Sequence, residues 1–476
     1  MKTKFRWFFD EEWFLFLCPA FVVVHGFAHF SESIYWLDAA LLFLQTSLSA
    51  FALALIFSFF LKFRQAALFA TALVLLNFVF AGFFEKLMMG ANPPFFARFR
   101  LLIPALLILF GAFFYWLKKS KRAFAQTRNY LNLLFLLLIF FDAFRLVAEK
   151  LARRKELVQT TICKKCSTPD VYLLVADGYA GERQLKERFG FDNKAFLDSL
   201  RSLGFFLPVD PHSNYSATNN SMSSLLNMQY TGKLSDDVHA AFNPNGVVQF
   251  FKQQGYRIVN NSFFKIDDQF PLQPIGYFET NAALITQHTL MAQLHVLLQN
   301  YLYEKHFSFV LNKLKKHEQD LLTDNLIRDS LTMDRLLSET KTEAEKPTFI
   351  YSHFLAPHPP FLFDSSGKRF TKDVLPQSRY LSYLKWTNGR LLSAVNAVIK
   401  NSRTPPVILL ISDHGYRNDD LPALDPLRFY NLVSVLLPNK NYTPFYKGVS
   451  NVNLFRILLN DAFGQQLPLL RDSTVY

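Results

Sequence analysis

Cysteine is scarce in this chain, with three among 476 residues. Cys18 lies inside an apolar run and reads as a small buried hydrophobe. Cys163 and Cys166 form a Cys-x-x-Cys, but no second cysteine pair supplies the ligands that a zinc site needs. That leaves a local disulfide, favoured by an oxidising compartment, or free thiols. Signatures of nucleic-acid binding are also missing: the sequence holds no zinc-finger, helix-turn-helix or RNA-binding pattern. Nor does a small-residue cleavage site follow the first apolar run, so that run is expected to stay as an anchor and not to be removed as a signal peptide.

Apolar residues are abundant. They make up 50% of the chain, aromatics 16%, and there are 53 phenylalanines. The excess is concentrated in residues 13–147, whereas residues 170–476 mix charges, Asn, Ser and Pro with short apolar runs. Such a division describes a membrane anchor carrying a globular domain, with residues 148–169 as a juxtamembrane linker. The formal net charge of +13 gathers beside the apolar segments, at Lys118, Lys119, Lys121 and Arg122 and again at Arg145, Lys150, Arg153, Arg154 and Lys155. Contact with anionic lipid headgroups accounts for these clusters more simply than nucleic acid does.

A membrane-spanning helix needs about 20 mostly apolar residues. Five stretches are read as crossings: 13–30, 35–61, 66–84, 99–117 and 130–147. Lys and Arg favour the cytoplasmic side in short loops. They occur at Lys2, Lys4 and Arg6, at Lys62 and Arg64, and at Lys118–Arg128, whereas the alternate loops carry Glu32 in one and Glu85, Lys86 and Arg98 in the other. The N-terminus is therefore expected inside and everything after about residue 148 outside, with the basic stretch 145–155 as a juxtamembrane helix lying on lipid. His25 and His29 share one face of the first segment. They read either as a headgroup or proton site or as interfacial side chains bonded to a neighbouring helix or water.

In the remainder, near-continuous apolar runs of the kind found in buried parallel strands appear at Val171–Ala176, Tyr256–Val259, Thr348–His353, Val407–Ser412 and Leu432–Leu437. Helical periodicity fills 192–204, 245–254, 281–344 and 381–401. The alternation predicts an α/β domain with a mostly parallel sheet covered on both faces. The long stretch 281–344 is read as an insertion that either covers the site or touches the membrane.

Chemistry in such folds sits at the carboxyl ends of strands. There the sequence places Asp177-Gly178, His353 followed by the Pro-rich loop bearing His358, and Ser412-Asp413-His414-Gly415. Carboxylates and imidazoles converging with open positions suit a catalytic Zn²⁺ or Mn²⁺. The segment Ser213–Tyr230 is crowded with hydroxyls and amides before it becomes apolar and helical, more than a single N-cap requires. A helix N-terminus also offers N–H groups to a phosphate.

These residues, in this order, resemble the alkaline phosphatase superfamily, and within it the membrane-anchored sulfatase-like branch of lipoteichoic acid synthases and lipid A phosphoethanolamine transferases. The resemblance implies a five-helix anchor in a bacterial cytoplasmic membrane and an extracytoplasmic catalytic domain. It implies Thr218, in Thr218-Asn219-Asn220-Ser221, as the nucleophile, and Asp177, Thr218, Asp413 and His414 as metal ligands. It implies His358 at the phosphoryl or leaving group, with His353, Asn219, Ser221 and Arg417 on the substrate side. Asp177 stands where the two named families carry Glu. No Cys/Ser-x-Pro-x-Arg element is present, which argues against sulfate ester hydrolysis. Met222-Ser223-Ser224-Leu225 replaces the Pro-Cys usual after the transferase nucleophile. No histidine follows His414, which favours one divalent metal and transfer over full phosphomonoesterase activity.

The implied reaction moves a phospho-headgroup from a membrane phospholipid to a surface lipid or glycan through a phosphothreonine. The alternatives are a phosphodiesterase or phosphatase with the same site, and a non-catalytic membrane scaffold with a decayed phosphatase fold. The charge bias yields a direct expectation: a C-terminal reporter active only in the cytoplasm is silent when fused to this chain. A strong cytoplasmic signal would overturn either the orientation or the number of crossings.

Overall fold

The computed structural model describes residues 11–83, 99–155, 157–163, 166–232, 238–269, 283–304, 327–342, 345–370, 376–417 and 424–476. The expectations that rest on Lys2, Lys4, Arg6, Glu85, Lys86 and Arg98, and on residues 305–326 of the long helical stretch, lie outside these. The chain divides into two compact units. One comprises Met1–Ala152 with Tyr277–Leu314, and the other Arg153–Gly276 with Lys315–Tyr476.

In the first unit, five helices follow one another: α1 (Phe14–His29), α2 (Trp36–Ser58), α3 (Phe63–Phe83), α4 (Phe99–Lys119) and α5 (Ala125–Lys155). The last four are long and apolar enough to cross a membrane; α1 is apolar but shorter, at 16 residues. Large apolar side chains stay exposed on them, such as Leu107, Ile108 and Phe140, which fits a lipid surround and would be costly in water. Polar ties gather at the two ends. At one, Arg64 pairs with Glu12 at 2.6 Å and donates to the Ala123 carbonyl, and Asn132 accepts from the Phe14 N–H at the start of α1. At the other, His25 meets the buried Asp142 at 3.0 Å, and Lys150 lies 3.4 Å from the buried Glu32. His25 is thus bonded to a neighbouring helix, as one reading allowed. The basic stretch after Arg145 is not a separate surface helix: it continues α5 to Lys155 without a break.

The second unit is built on a five-stranded sheet in the order β2-β3-β1-β4-β5. The strands are β1 (Val171–Ala176), β2 (Arg257–Asn261), β3 (Thr348–Phe354), β4 (Val407–Ile411) and β5 (Val433–Leu436). All neighbours are parallel except β5, which runs against β4. Strand side chains alternate between faces, and here both faces are covered. Val171, Leu173, Val175, Leu409 and Ile411 join a core with Met222, Leu225, Phe251 and Phe455. Tyr172, Leu174, Ile408 and Leu410 join another with Leu197, Leu384 and Val395. The covering helices include α6 (Glu182–Phe189), α7 (Lys194–Ser202), α8 (Thr218–Asn227), α9 (Gly246–Gln253), α10 (Pro376–Asn401) and α11 (Asn451–Phe463). Burial on both faces is why these strands are apolar without alternation. Cys163 and Cys166 are joined in a disulfide.

The turn after β1 is packed against the segment leading into β5. A Cβ added at Gly181 would lie 2.7 Å from the Asn431 carbonyl oxygen and 2.9 Å from its nitrogen, both backbone atoms that cannot rotate away. Gly181→Ala is therefore expected to destabilise this unit by about 1–3 kcal/mol. Thermal unfolding of the detergent-purified chain should show a lowered midpoint, and an unchanged one would contradict the packing.

Candidate active site

Three strand ends deliver the site. β1 leads into Asp177, β3 carries His353 on the face shared with Tyr351, and β4 leads into Ser412-Asp413-His414. Ligand atoms of Asp177, His353 and Asp413 all lie within 4.8 Å of one another, and the three residues are buried. His353 Nε2 is 3.9 Å from Asp177 Oδ2, and His414 Nε2 is 3.7 Å from Asp177 Oδ1 and 3.3 Å from Asp413 Oδ2. Thr218, the first residue of α8, places its Oγ1 3.3 Å from His414 Nε2. The expected set Asp177, Thr218, Asp413 and His414 is therefore brought together. His353, expected on the substrate side, joins the carboxylates.

The surroundings fix these groups. Asp413 Oδ1 accepts from the Gly178 N–H at 2.9 Å. Ser412 Oγ donates to the His414 carbonyl and accepts from the Tyr179 N–H. Gln184, fully buried, bonds both the N–H and the carbonyl of Tyr416, pinning the chain just past His414. Tyr380 accepts from the Ala180 N–H and donates to the Gly178 carbonyl, clamping the turn after Asp177. Asn451, at the start of α11, donates to the carbonyls of Ser412 and Asp413. Ser221 is 1% exposed and donates to the Asp413 carbonyl at 2.5 Å, so it supports the metal-facing loop from beneath. Asn219 is half-buried in the first turn of α8.

Asp329 was not apparent in the sequence. Its carboxylate accepts from the N–H groups of Leu355 and Ala356, at 2.6 and 3.0 Å, and so anchors the loop that carries His358. Only its place two residues into the helical segment 327–339 could have drawn attention to it. His358 lines a cavity of about 140 Å³ with Gly178, Tyr380, His414, Tyr416 and Arg417.

Electrostatically the centre is incomplete on its own. Burial, and then the charge of Asp413, push the Asp177 carboxyl well above its usual range. Burial would raise Asp413 too, but His414, His353, the Gly178 N–H and the Thr218 hydroxyl outweigh it and hold that carboxyl at about 2. Burial presses both His353 and His414 down to about 4, and lowers His358 as well. At neutral pH these imidazoles are uncharged and cannot offset the carboxylates. Asp177 Oδ1, Asp413 Oδ2 and His353 Nε2 are buried without a hydrogen-bond partner among the described residues. Buried polar atoms are rarely left so, and here the three orphans converge on one point. Two oxygens and an imidazole nitrogen within that spacing suit a divalent cation such as Zn²⁺ or Mn²⁺.

The tautomers agree. His414 Nδ1 lies 2.6 Å from the Gly415 carbonyl, which can only accept, so Nδ1 holds the proton and the Nε2 lone pair is offered. His358 is arranged likewise on the Pro359 carbonyl. His353 Nδ1 is 2.7 Å from the Tyr351 hydroxyl, which can take either role. A cation at Nε2 selects the form in which Nδ1 donates to Tyr351.

The model of the Sulfatase family matches residues 193–451, more than half of the sequence, and the chain belongs to that family. By sequence, no curated protein matches it. Similar solved structures include the C-terminal periplasmic domain of EcEptC from Escherichia coli in complex with zinc. It is 12% identical, over 65% of this chain and 87% of that one, with a TM-score of 0.40. The C-terminal periplasmic domain of the phosphoethanolamine transferase EptC from Campylobacter jejuni is 13% identical, over 66% and 95%, at 0.38. An alkaline phosphatase superfamily protein from Vibrio parahaemolyticus is 12% identical, over 69% and 80%, at 0.39.

The orphaned atoms make a prediction about metal content. The purified chain loaded with Zn²⁺ or Mn²⁺ should retain the ion, and Asp413→Asn or His353→Gln should each lose it, with some loss of stability from the unpaired charge left behind. His358→Gln, altered outside the cluster, should retain it. Elemental analysis after gel filtration reads the result, and parental metal content in both ligand variants would overturn the assignment.

Proposed function

We propose that this sulfatase-family chain is a metal-dependent phosphoryl-group transferase. It would move a phospho-headgroup from a membrane lipid to a surface lipid or glycan through a phosphothreonine at Thr218. The observation that carries this reading is the hydroxyl of Thr218 at the head of α8, 3.3 Å from His414 Nε2 and beside the cluster of orphaned carboxylate and imidazole atoms. Asp177, His353, Asp413, His414 and Thr218 would hold the ion, which supplies Lewis acidity to the phosphoryl oxygen and a lowered pKa to the Thr218 hydroxyl.

In the first half-reaction Thr218 Oγ1 attacks phosphorus, and the bond from phosphorus to the donor's alcohol oxygen breaks. The proton given up by Thr218 is matched by the proton that the departing alcohol takes, and His358 carries it. His358 suits this shuttle because burial keeps it neutral at rest and its Nδ1 proton is committed to Pro359, which frees Nε2 to accept. In the second half the acceptor hydroxyl loses its proton to His358, attacks the phosphothreonine, and Thr218 recovers a proton. The N–H groups of the first turn of α8, whose N-cap residue Ala217 makes no side-chain cap bond, and the Arg417 side chain would hold phosphoryl oxygens.

The apolar helices support a lipid donor and placement in a cytoplasmic membrane with the catalytic unit outside. The disulfide supports the same side, because such bonds persist in oxidising compartments.

Thr218→Ala should abolish turnover, a loss of several orders of magnitude, while the fold persists because a helix-terminal hydroxyl contributes only about 0.5–2 kcal/mol. Thr218→Ser should keep partial activity and still form an adduct. Intact-protein mass spectrometry after brief exposure to phospholipid, with peptide mapping, locates that adduct. Full activity in Thr218→Ala, or an adduct elsewhere, would contradict the mechanism. Release of the group to water alone would make the protein a hydrolase.

A further inference from the structure

Leu355, Ala356 and Pro357 connect the end of β3 to His358. Proline has no N–H, so Leu355 and Ala356 hold the only backbone donors in that connection. Both go to one side chain. Asp329 Oδ1 accepts from the Leu355 N–H at 2.6 Å, and Oδ2 accepts from the Ala356 N–H at 3.0 Å. The Asp329 side chain comes from the helical segment 327–339 in the connection between β2 and β3, and the residue is 8% exposed. Burial pushes its carboxyl up to about 6, against the pull of these two bonds. Near neutral pH the group is therefore charged and acts only as an acceptor.

The carbonyls of the same two peptide groups are engaged as well. The Phe354 carbonyl accepts from the Asp177 N–H at 3.0 Å, and the Leu355 carbonyl accepts from the His358 N–H at 2.7 Å. A trans peptide group is a rigid plane with its N–H and C=O on opposite edges. One plane therefore runs from Asp329 to the backbone of Asp177, and the next runs from Asp329 to the backbone of His358. Hydrogen bonds in such a series polarise and strengthen one another. A single carboxylate thus holds both planes, and with them the spacing between a residue of the orphaned-atom cluster and the histidine that lines the adjoining cavity.

We propose that Asp329 is a positioning residue for the reaction: through two consecutive peptide planes it fixes where His358 stands relative to Asp177, and so governs proton transfer at His358. The kinetic half of this inference rests on the reading of His358 as the proton carrier, whereas the spacing does not. Asp329→Asn keeps the size of the side chain but turns one acceptor into a donor that faces a backbone N–H. The loop then shifts, and a displacement of about 1 Å at a reacting group costs on the order of 10²-fold in rate.

The test uses the full chain, loaded with Zn²⁺ or Mn²⁺ in detergent, as the parent, Asp329→Asn, His358→Gln and the double variant. Peptide-resolved hydrogen exchange reads the spacing. The amides of Leu355, Ala356 and His358 should exchange about tenfold faster or more in Asp329→Asn, because a bond to a charged acceptor is worth at least that factor, while metal content stays parental. Unchanged exchange there would overturn the proposal whatever the reaction. Release of diacylglycerol from phosphatidylethanolamine and phosphatidylglycerol micelles reads the chemistry, since transfer and hydrolysis both produce it. Asp329→Asn should lower kcat by about 10–100-fold with little change in KM, and should add almost nothing in the His358→Gln background, because a residue that acts through another loses its effect when that other is gone. An equal loss in both backgrounds would overturn the role at His358. A parent that releases no diacylglycerol would instead sink the reaction reading, and the exchange result alone would then decide the spacing. Should Asp329→Asn fail to fold, Asp329→Glu, which keeps the charge but displaces the oxygens, takes its place with the same expectations.

Discussion

Two carboxylates buried side by side, Asp177 and Asp413, set the terms for the catalytic unit. Like charges in a low-dielectric interior repel strongly, and the imidazoles nearest them are held neutral by their own burial. The protein spends its polar groups on orientation: a backbone N–H for one oxygen of Asp413, a hydroxyl for His353, a carbonyl for His414. The atoms left over all point at one place. A dication resolves the repulsion, satisfies the orphaned atoms and explains why the parallel strands β1, β3 and β4 end where they do. Ser412, Gln184, Tyr380, Asn451 and Asp329 then read as a scaffold that keeps the three loops from relaxing away from one another.

The position of Thr218 follows from the same arrangement. Ser221 and Asn451 tie α8 and α11 to the loop after β4, so the head of α8 is held against the ligand cluster by bonds to the Asp413 carbonyl. Its hydroxyl therefore needs no mobile segment to reach His414. The larger part of the chemistry is set by where strands stop and where one helix begins.

Much of this was legible in the sequence, for identifiable reasons. Strands buried on both faces become uninterrupted apolar runs, so all five were found to within about two residues, and their polar ends marked Asp177, Asp413 and His414. The head of α8 announced itself by its surplus of hydroxyls. The role of His353 was hidden because it depends on which face of β3 the side chain takes and on a Tyr351 contact that spacing does not display. Asp329 was hidden because it acts on backbone N–H groups across the fold, and such bonds leave no motif. Ser221 matched a pattern yet serves as a strut. The stretch 281–344 has helical periodicity throughout, but periodicity cannot tell a helix facing a catalytic core from one facing lipid. Its first part folds with the apolar helices of the first unit, where Ile285 is buried with Val22 and Val23 and the Met291 N–H donates to Asn77.

The claim on which the account rests is that the converging atoms form a metal centre. Crystals of the full chain soaked with Zn²⁺ or Mn²⁺ and measured at the corresponding absorption edge test it directly. The account predicts a dominant anomalous peak at ligand distances, about 2.0–2.2 Å, from carboxylate oxygens of Asp177 and Asp413 and from His353 Nε2. A strong peak elsewhere, with none between these three side chains, would contradict it.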